Sequence, residues 1–409
     1  MQSSRRLFPA KPQLDVLEGD PHKSVGTQGG LFYEFFAGGG MARAGLGAGW
    51  KCLFANDFDD RKASSYCDNW GDEDFHFGDV GRLATSDLPG KADLAWASFP
   101  CQDLSLAGTG AGLKGSRSGT FWSFWKLVQE LAREGRKPSV VVLENVSGAL
   151  SSHGGQDFRA LIGALAKEDY RYGALVIDAV HFVPQSRPRL FIVAIDATIE
   201  IPPALICKAP DPAWTPGALL KACDVLSDEE RQRWVWWNLP KPSPREKVFS
   251  DLIEEEPTGV AWHTSPETKR LIEMMSPINR KKLRDAKKEG RRVVGAIYKR
   301  TRIDTEGQRK QRAEVRFDDI AGCLRTPVGG SSRQLIMVVD GENVRSRLLS
   351  PREAARLMGL EESYILPSKY NEAYHLAGDG LVVPVVRHLA SNVLEPLLAA
   401  VRKQGWQVA

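Results

Sequence analysis

Cys101 lies between Pro100 and Gln102, directly after the apolar run Ala92–Phe99. A thiol just past the carboxyl end of a buried strand lies where open α/β sheets present groups to ligands. Proline stiffens the turn that carries it. As a thiolate, such a sulfur can add to an electron-poor carbon. The alternative for a lone cysteine is a packed structural thiol. The segment from Gln102 to Thr120 is rich in glycine and serine. It cannot pack a core, and it suits a loop that closes over a bulky substrate. Glu144 follows Val140-Val141-Val142-Leu143. Burial at a strand end favours a protonated carboxyl, the state a proton donor needs; a salt-bridged strand-end acid is the alternative. Arg187 and Arg189, two residues apart, could hold an anion or a base edge, or could be surface charge.

A second constellation begins at Leu31–Phe36, which runs into Ala37-Gly38-Gly39-Gly40. A strand feeding a glycine-rich turn and then a helix suits a nucleotide-type cofactor, although a structural turn has the same signature. A nicotinamide fingerprint would require glycine at position 43, where Arg43 stands. Asp57 follows Gly38 by nineteen residues at the end of the next apolar run, a spacing that suits a ribose hydroxyl pair. Asp79 follows the short run Phe75–Phe77. Acids at the ends of successive strands suit the ribose and base of one nucleoside.

The elements that must position these groups alternate between strand and helix from Gly30 to about Asp196. Leu31–Phe36, Lys51–Ala55, Ala92–Phe99, Ser139–Leu143, Tyr172–Val180 and Leu190–Ile195 read as buried strands, and Phe121–Arg133 and Asp157–Lys167 as helices. This alternation predicts a parallel sheet with helices on both faces. From Ile201 to Arg316 the alternation stops, prolines cluster, and Trp214, Trp234, Trp236 and Trp237 lie close together. A separate, irregular domain is expected there. Ser350, Pro351 and Glu353 mark a capped helix start, and Val382–Ala400 reads as a terminal helical stretch.

Composition narrows the classes. The 409 residues are 42% hydrophobic and 26% charged, ordinary for a globular chain of two or three domains. No uninterrupted apolar run is long enough to span a membrane, and residues 1–28 read as a polar leader without a secretion signal. The six cysteines, Cys52, Cys67, Cys101, Cys207, Cys223 and Cys323, have neither zinc nor redox-pair spacing, so no metal is expected and reduced thiols in a cytoplasm are the default. Arg280 to Arg316 carries fifteen Lys/Arg against five Asp/Glu in a chain whose net charge is only +4, so the remainder is net acidic. Such a stretch suits a polyanion-facing surface; a solvated helix face is the alternative.

Eight segments, in order, resemble the DNA (cytosine-5)-methyltransferase family. They are Phe36-Ala37-Gly38-Gly39-Gly40, Asn56-Asp57, Gly78-Asp79-Val80, Pro100-Cys101-Gln102, Glu144-Asn145-Val146, Gln185-Ser186-Arg187-Pro188-Arg189, the run Arg347 to Leu357, and Gly378-Asp379-Gly380-Leu381-Val382-Val383-Pro384-Val385. Two positions depart from the family pattern: Asp379 stands where Asn is usual, and Asp57 where many members carry Glu.

The resemblance implies a Rossmann-like α/β catalytic domain that binds S-adenosylmethionine, residues 29–196 completed by 372–409. A smaller target-recognition domain would span residues 197–371. Phe36, Gly38, Gly40, Asn56, Asp57, Asp79, Pro100 and Asp379 would contact the cofactor. The Cys101 thiolate would add to carbon 6 of a flipped-out cytosine in duplex DNA. Glu144 would donate to ring nitrogen 3, Arg189 would hold the exocyclic oxygen, and Asn145 would set the loop. Arg300, Arg302 and Arg309 are candidate base contacts. The expected setting is a monomeric, nucleoid-associated bacterial or phage modification enzyme, solitary or with a cognate restriction endonuclease outside the complex. Rival readings are a tRNA methyltransferase, a catalytically silent DNA binder and a small-molecule methyltransferase.

Overall fold

The computed structural model describes residues 29–100, 120–303, 307–326 and 333–408. Cys101, the loop that follows it and residues 1–28 lie outside the described residues.

Seven strands form the larger sheet: β1 Leu31–Phe35, β2 Lys51–Asp57, β3 Phe75–Phe77, β4 Leu94–Ala97, β5 Val140–Val146, β6 Tyr170–Asp178 and β7 Pro188–Asp196. Their order is β3-β2-β1-β4-β5-β7-β6. The central strands are apolar on both faces because helices cover both: Phe32, Trp96, Val140 and Val142 pack into one core, and Tyr33, Phe35, Ala95, Val141 and Leu143 into another. The helices of this half are α1 Met41–Leu46, α2 Asp60–Trp70, α3 Thr120–Arg133 and α4 Gln156–Lys167. The chain runs outward from β1 to β3 and then returns through β4 to the other side, so the switch point lies between β1 and β4. Open sheets bind ligands outside the carboxyl ends of the strands at that point.

One strand departs from the parallel expectation. β7 pairs antiparallel with both β5 and β6. The connection between β6 and β7 spans only nine residues, 179–187, too short for the crossover a parallel pair requires.

The tryptophan-rich segment packs onto this sheet. Trp237 Nε1 donates to the Val193 carbonyl of β7 at 3.3 Å, and Val176 N of β6 donates to the Trp214 carbonyl at 2.8 Å. Two short helices, α5 Gly217–Asp224 and α6 Asp228–Gln232, lie within it. Beyond them, α7 Ser265–Glu273 and α8 Pro277–Lys288 lead into a second, antiparallel sheet of β8 Val293–Ile303, β9 Arg309–Arg316, β10 Leu335–Asp340 and β11 Asn343–Leu348, in the order β11-β10-β8-β9. The expected irregular region therefore contains a regular sheet. Its outer strand β9 is so rich in Lys and Arg that its apolar alternation is hidden.

The C-terminal helices α9 Pro351–Leu357, α10 Tyr370–Asp379, α11 Val383–Leu389 and α12 Glu395–Val408 return to the larger sheet. Ser350 caps α9 as the sequence predicts, its hydroxyl accepting from Glu353 N. Gly45 lets α1 approach α11: a Cβ there would lie 2.3 Å from Val386 Cβ. The helical stretch Tyr370–Gly405 is long and apolar enough to cross a membrane by length and composition, yet 56% of its most apolar window is buried within the molecule.

Candidate active site

The glycine turn is shaped by backbone geometry. Phe36, Gly38 and Gly40 all have positive φ, +58°, +58° and +76°. At Phe36 that conformation is strained, and it reverses the chain directly after β1. Asp57, at the end of β2, fixes the turn by accepting from Gly38 N at 2.8 Å and from Asp59 N at 2.9 Å. The Gly39 carbonyl accepts from Trp70 Nε1 at 3.1 Å and Tyr364 Oη at 2.7 Å. A Cβ at Gly38 would meet nothing within 4 Å, so a ligand has room to approach the backbone there.

Asn56 has a different role from Asp57. Its amide donates to the carbonyls of His76 and Gly78, each at 2.9 Å, and the residue is only 1% exposed. It therefore anchors β3 and the turn bearing Asp79, and both its donors are engaged by protein. Asp79 is exposed, and it accepts from Gly81 N at 2.9 Å. Phe58 and Phe77, unnoticed in the sequence, are 60% and 58% exposed at the carboxyl ends of β2 and β3. Large aromatics so placed beside two acids offer flat apolar faces of the kind a purine needs. The signal for them was their position next to Asp57 and Gly78.

Asp379, at the end of α10, forms an ion pair of 2.8 Å with Lys62 of α2 and accepts a hydrogen bond from Thr326. Burial works to raise the Asp379 carboxyl, but the Lys62 charge and hydrogen bonds overcome it and hold it below the usual range. Burial also raises Asp57, against the pull of Lys62. The extra negative charge at position 379 is thus matched by a lysine.

The second half of the site is built on β5 and β7. Glu144 pairs in register with Phe191, and Val146 with Arg189, so Arg189 is the diagonal same-face neighbour of Glu144. Arg189 Nε lies 3.4 Å from Glu144 Oε1. Glu144 is 8% exposed. Burial raises its carboxyl above the usual value, opposed by the charges of Arg189 and Arg187 and by a hydrogen bond from Ser98. The sequence placed Glu144 just past a strand; pairing with β7 carries β5 on through Val146. Asn145, on the opposite face, donates from Nδ2 to the Phe99 carbonyl at 3.1 Å, and its Oδ1 accepts from Val146 N at 2.9 Å. The backbone two residues before Cys101 is therefore tied to the residue after Glu144. Pro100, the last described residue before Cys101, is partly buried.

Arg187 and Arg189 divide their work. Arg187 is fully buried and donates to the carbonyls of Leu324 at 3.0 Å and of Gly378 and Gly380, each at 2.8 Å. It ties β7 to the end of α10. Cys323 joins this cluster, with its sulfur 3.3 Å from Arg187 Nη1 and 4.0 Å from Arg189 Nη2. Burial pushes its thiol up, but the two arginines prevail and hold it below the ordinary value. Nothing in the local sequence marked Cys323.

The description of the C-5 cytosine-specific DNA methylase family matches residues 31–395. The chain belongs to this family. With it comes the enzyme class, DNA cytosine-5 methyltransferase. Among curated relatives of this methylase, the type II methyltransferase M.HpaII of Haemophilus parainfluenzae is 26% identical over 90% of this chain and 89% of its own length. The type II methyltransferase M.HhaI of Haemophilus parahaemolyticus is 25% identical over 88% of this chain and 93% of its own length. Among solved structures, the S. pombe Dnmt2 methyltransferase superposes with a TM-score of 0.55 at 18% identity, covering 90% of this chain and 99% of that one. The Entamoeba histolytica methyltransferase EhMeth superposes with a TM-score of 0.56 at 14% identity, covering 91% of this chain and 98% of that one. These likenesses support a Rossmann-like methyltransferase fold, the one the sequence predicts.

Proposed function

We propose that this methylase modifies carbon 5 of a cytosine flipped out of duplex DNA, through a transient bond from Cys101. The observation that carries the reading is the Asn145–Phe99 hydrogen bond. It ties the stem of the Cys101 segment to the strand bearing Glu144, with Arg189 alongside.

The residues around the glycine turn fit S-adenosylmethionine. Backbone is open at Gly38, Asp57 and Asp79 suit the nucleoside hydroxyls and amine, and Phe58 and Phe77 suit the faces of a purine. Phe36, Gly40, Pro100 and Asp379 would complete the enclosure. Bound there, the cofactor supplies an electrophilic methyl group.

This chain's residues make carbon 5 able to accept it. The Cys101 thiolate forms a bond to carbon 6, and the electron pair of the 5,6 double bond is drawn toward ring nitrogen 3. Glu144, whose ionisation burial opposes, donates to that nitrogen. Arg189 holds the exocyclic oxygen and orients Glu144. Once carbon 5 carries the methyl group, loss of its proton restores the double bond and expels Cys101. The target must leave the stack for carbon 6 to be reached, at a few kcal/mol. The domain division at residues 197–371, with recognition assigned to the second part, belongs to this reading, as does a bacterial or phage modification role. The monomeric state belongs to it too.

Bisulfite sequencing of DNA from cells expressing the chain tests the reading, with tRNA from the same cells probed in parallel. The expected result is protected cytosines at one sequence in DNA, absent with Cys101→Ala. Protection confined to tRNA would contradict it.

A further inference from the structure

Among the described residues, β8 has β10 as a neighbour only as far as Ile297. β10 pairs with β8 only from Val293 to Ile297, whereas β9 pairs with it from Ala296 to Ile303. Among the described residues the remainder is a two-stranded ribbon whose β8 residues Lys299 to Ile303 are all exposed. A ribbon of two strands has the width the major groove of duplex DNA admits.

The two faces of this ribbon differ. Arg300 pairs with Arg312, Arg302 with Lys310, and Tyr298 with Glu314, so these six share one face; Ile303 pairs with Arg309, which places Arg309 on the other. On the first face, Glu314 accepts from Arg302 Nε at 2.6 Å and lies 3.5 Å from Arg300 Nε. Among the described residues, neither arginine gives a hydrogen bond from its terminal nitrogens. One carboxylate thus contacts both guanidinium groups at Nε, Arg302 through a hydrogen bond and Arg300 through an ion contact, while the Arg300 guanidinium also lies over the Tyr298 ring, 5.4 Å from its centroid. Arg300 and Glu314 also line a cavity of about 620 Å³ together with Ser186, Pro188 and Cys323, whose sulfur lies 4.0 Å from Arg189 Nη2. The face therefore opens toward the proposed catalytic cluster.

A phosphate needs only positive charge. An acid on a face meant solely for phosphate would weaken it. A carboxylate that orients two arginines is the arrangement expected for a planar, directional acceptor pair, and guanine O6 with N7 is that pair in the major groove. Two positions along a strand span about 6.8 Å, or about two base-pair steps, and the shared carboxylate draws the two heads closer than that. We infer that Arg300 and Arg302 read two guanines, no more than two base-pair steps apart, in the recognition sequence, with Glu314 as the residue that positions them. This rests on the proposed function and names the specificity determinants of the same enzyme.

The test is methylation of a randomised duplex library by the purified full chain, read by bisulfite sequencing, together with binding to a non-target duplex. Wild type should select a site containing two such guanines. Arg300→Ala and Arg302→Ala should each relax the preference at one of them by about ten- to a hundred-fold. Arg309→Ala, on the opposite face, should weaken all sites alike. Glu314→Gln, which removes one negative charge, should bind the non-target duplex more tightly while discriminating less. A uniform loss across all sequences with Arg300→Ala and Arg302→Ala would overturn the inference, as would a wild-type site lacking the guanine pair. Failure of wild type to methylate any duplex would instead overturn the function on which it rests.

Discussion

Glu144 derives its chemistry from its surroundings. A carboxyl raised by burial is held protonated further up the pH scale than one in water, and Arg189, Arg187 and Ser98 limit the rise. As a donor it works in the protonated form, so activity should fall on the alkaline side as Glu144 ionises. Glu144→Gln should lower kcat by about a hundred-fold or more and flatten that limb, with little change in KM for DNA. A pH–rate profile of both proteins checks this. A second buried acid, Glu34 on β1, lies outside the chemistry. Burial pushes it up to about 8 against the charge of Arg43 and the backbone N–H groups of Arg43 and Ala42, and among the described residues its Oε2 has no hydrogen-bond partner. Between the ordinary carboxyl value of 4.5 and about 8, the unfolded chain releases this proton while the native state keeps it. Stability is therefore lost as pH rises through that window, by up to about 1.4 kcal/mol per pH unit. Glu34→Gln should melt higher than wild type at pH about 8.5 and close to it at pH about 5, as thermal denaturation would show. The chemistry-bearing types were readable in the sequence because Cys101, Glu144 and Arg189 each follow or open an apolar run. Glu34 was not, since a lone acid inside an aromatic strand resembles an exposed one until both faces are covered.

At the scale of elements, the joint between β11 and α9 is fixed by a buried ion pair. Arg347 and Glu353 are fully buried and paired twice, at 2.6 and 2.8 Å. Glu353 also accepts from Ser350 N and Glu254 N, each at 2.7 Å. Removing one partner would strand a buried charge, so Glu353→Ala should destabilise by about 3–5 kcal/mol in urea denaturation, and Glu353→Gln by less. The capping box was visible because its spacing is local. The partner of Glu353 was not, because Arg347 reaches it only through the turn between strand and helix. The same distinction explains the larger differences. β1, β2, β4 and β5 announce themselves by continuous apolar runs, while the reversed β7 depends on a connection length rather than on its own residues. Trp214 and Trp237 look like a separate unit along the chain but dock on β6 and β7 by single hydrogen bonds from distant residues. β8 and β9 hide a strand pairing beneath a run of basic residues that face solvent.

On the scale of the whole molecule, Arg187 joins the start of β7 to Leu324 and to the end of α10. The C-terminal helices return to close the cofactor side, through Lys62 to Asp379 and Tyr364 to Gly39. The cavity at the basic ribbon shares Cys323 with the Arg187–Arg189 cluster, and Arg187 reaches from that cluster to the carbonyls of Gly378 and Gly380 beside Asp379. The proposed chemistry requires that Cys101 bond to a cytosine brought to the Glu144–Arg189 pair. Incubation of the full chain and S-adenosylmethionine with a duplex carrying 5-fluorocytosine at the target base measures it directly, since fluorine at carbon 5 blocks the final elimination. Mass spectrometry under denaturing conditions should find a stable one-to-one protein–DNA adduct through Cys101, absent with Cys101→Ala though that variant still binds the duplex. Methyl transfer to ordinary target DNA with no adduct on the fluorinated duplex, or an adduct that survives Cys101→Ala, would contradict it.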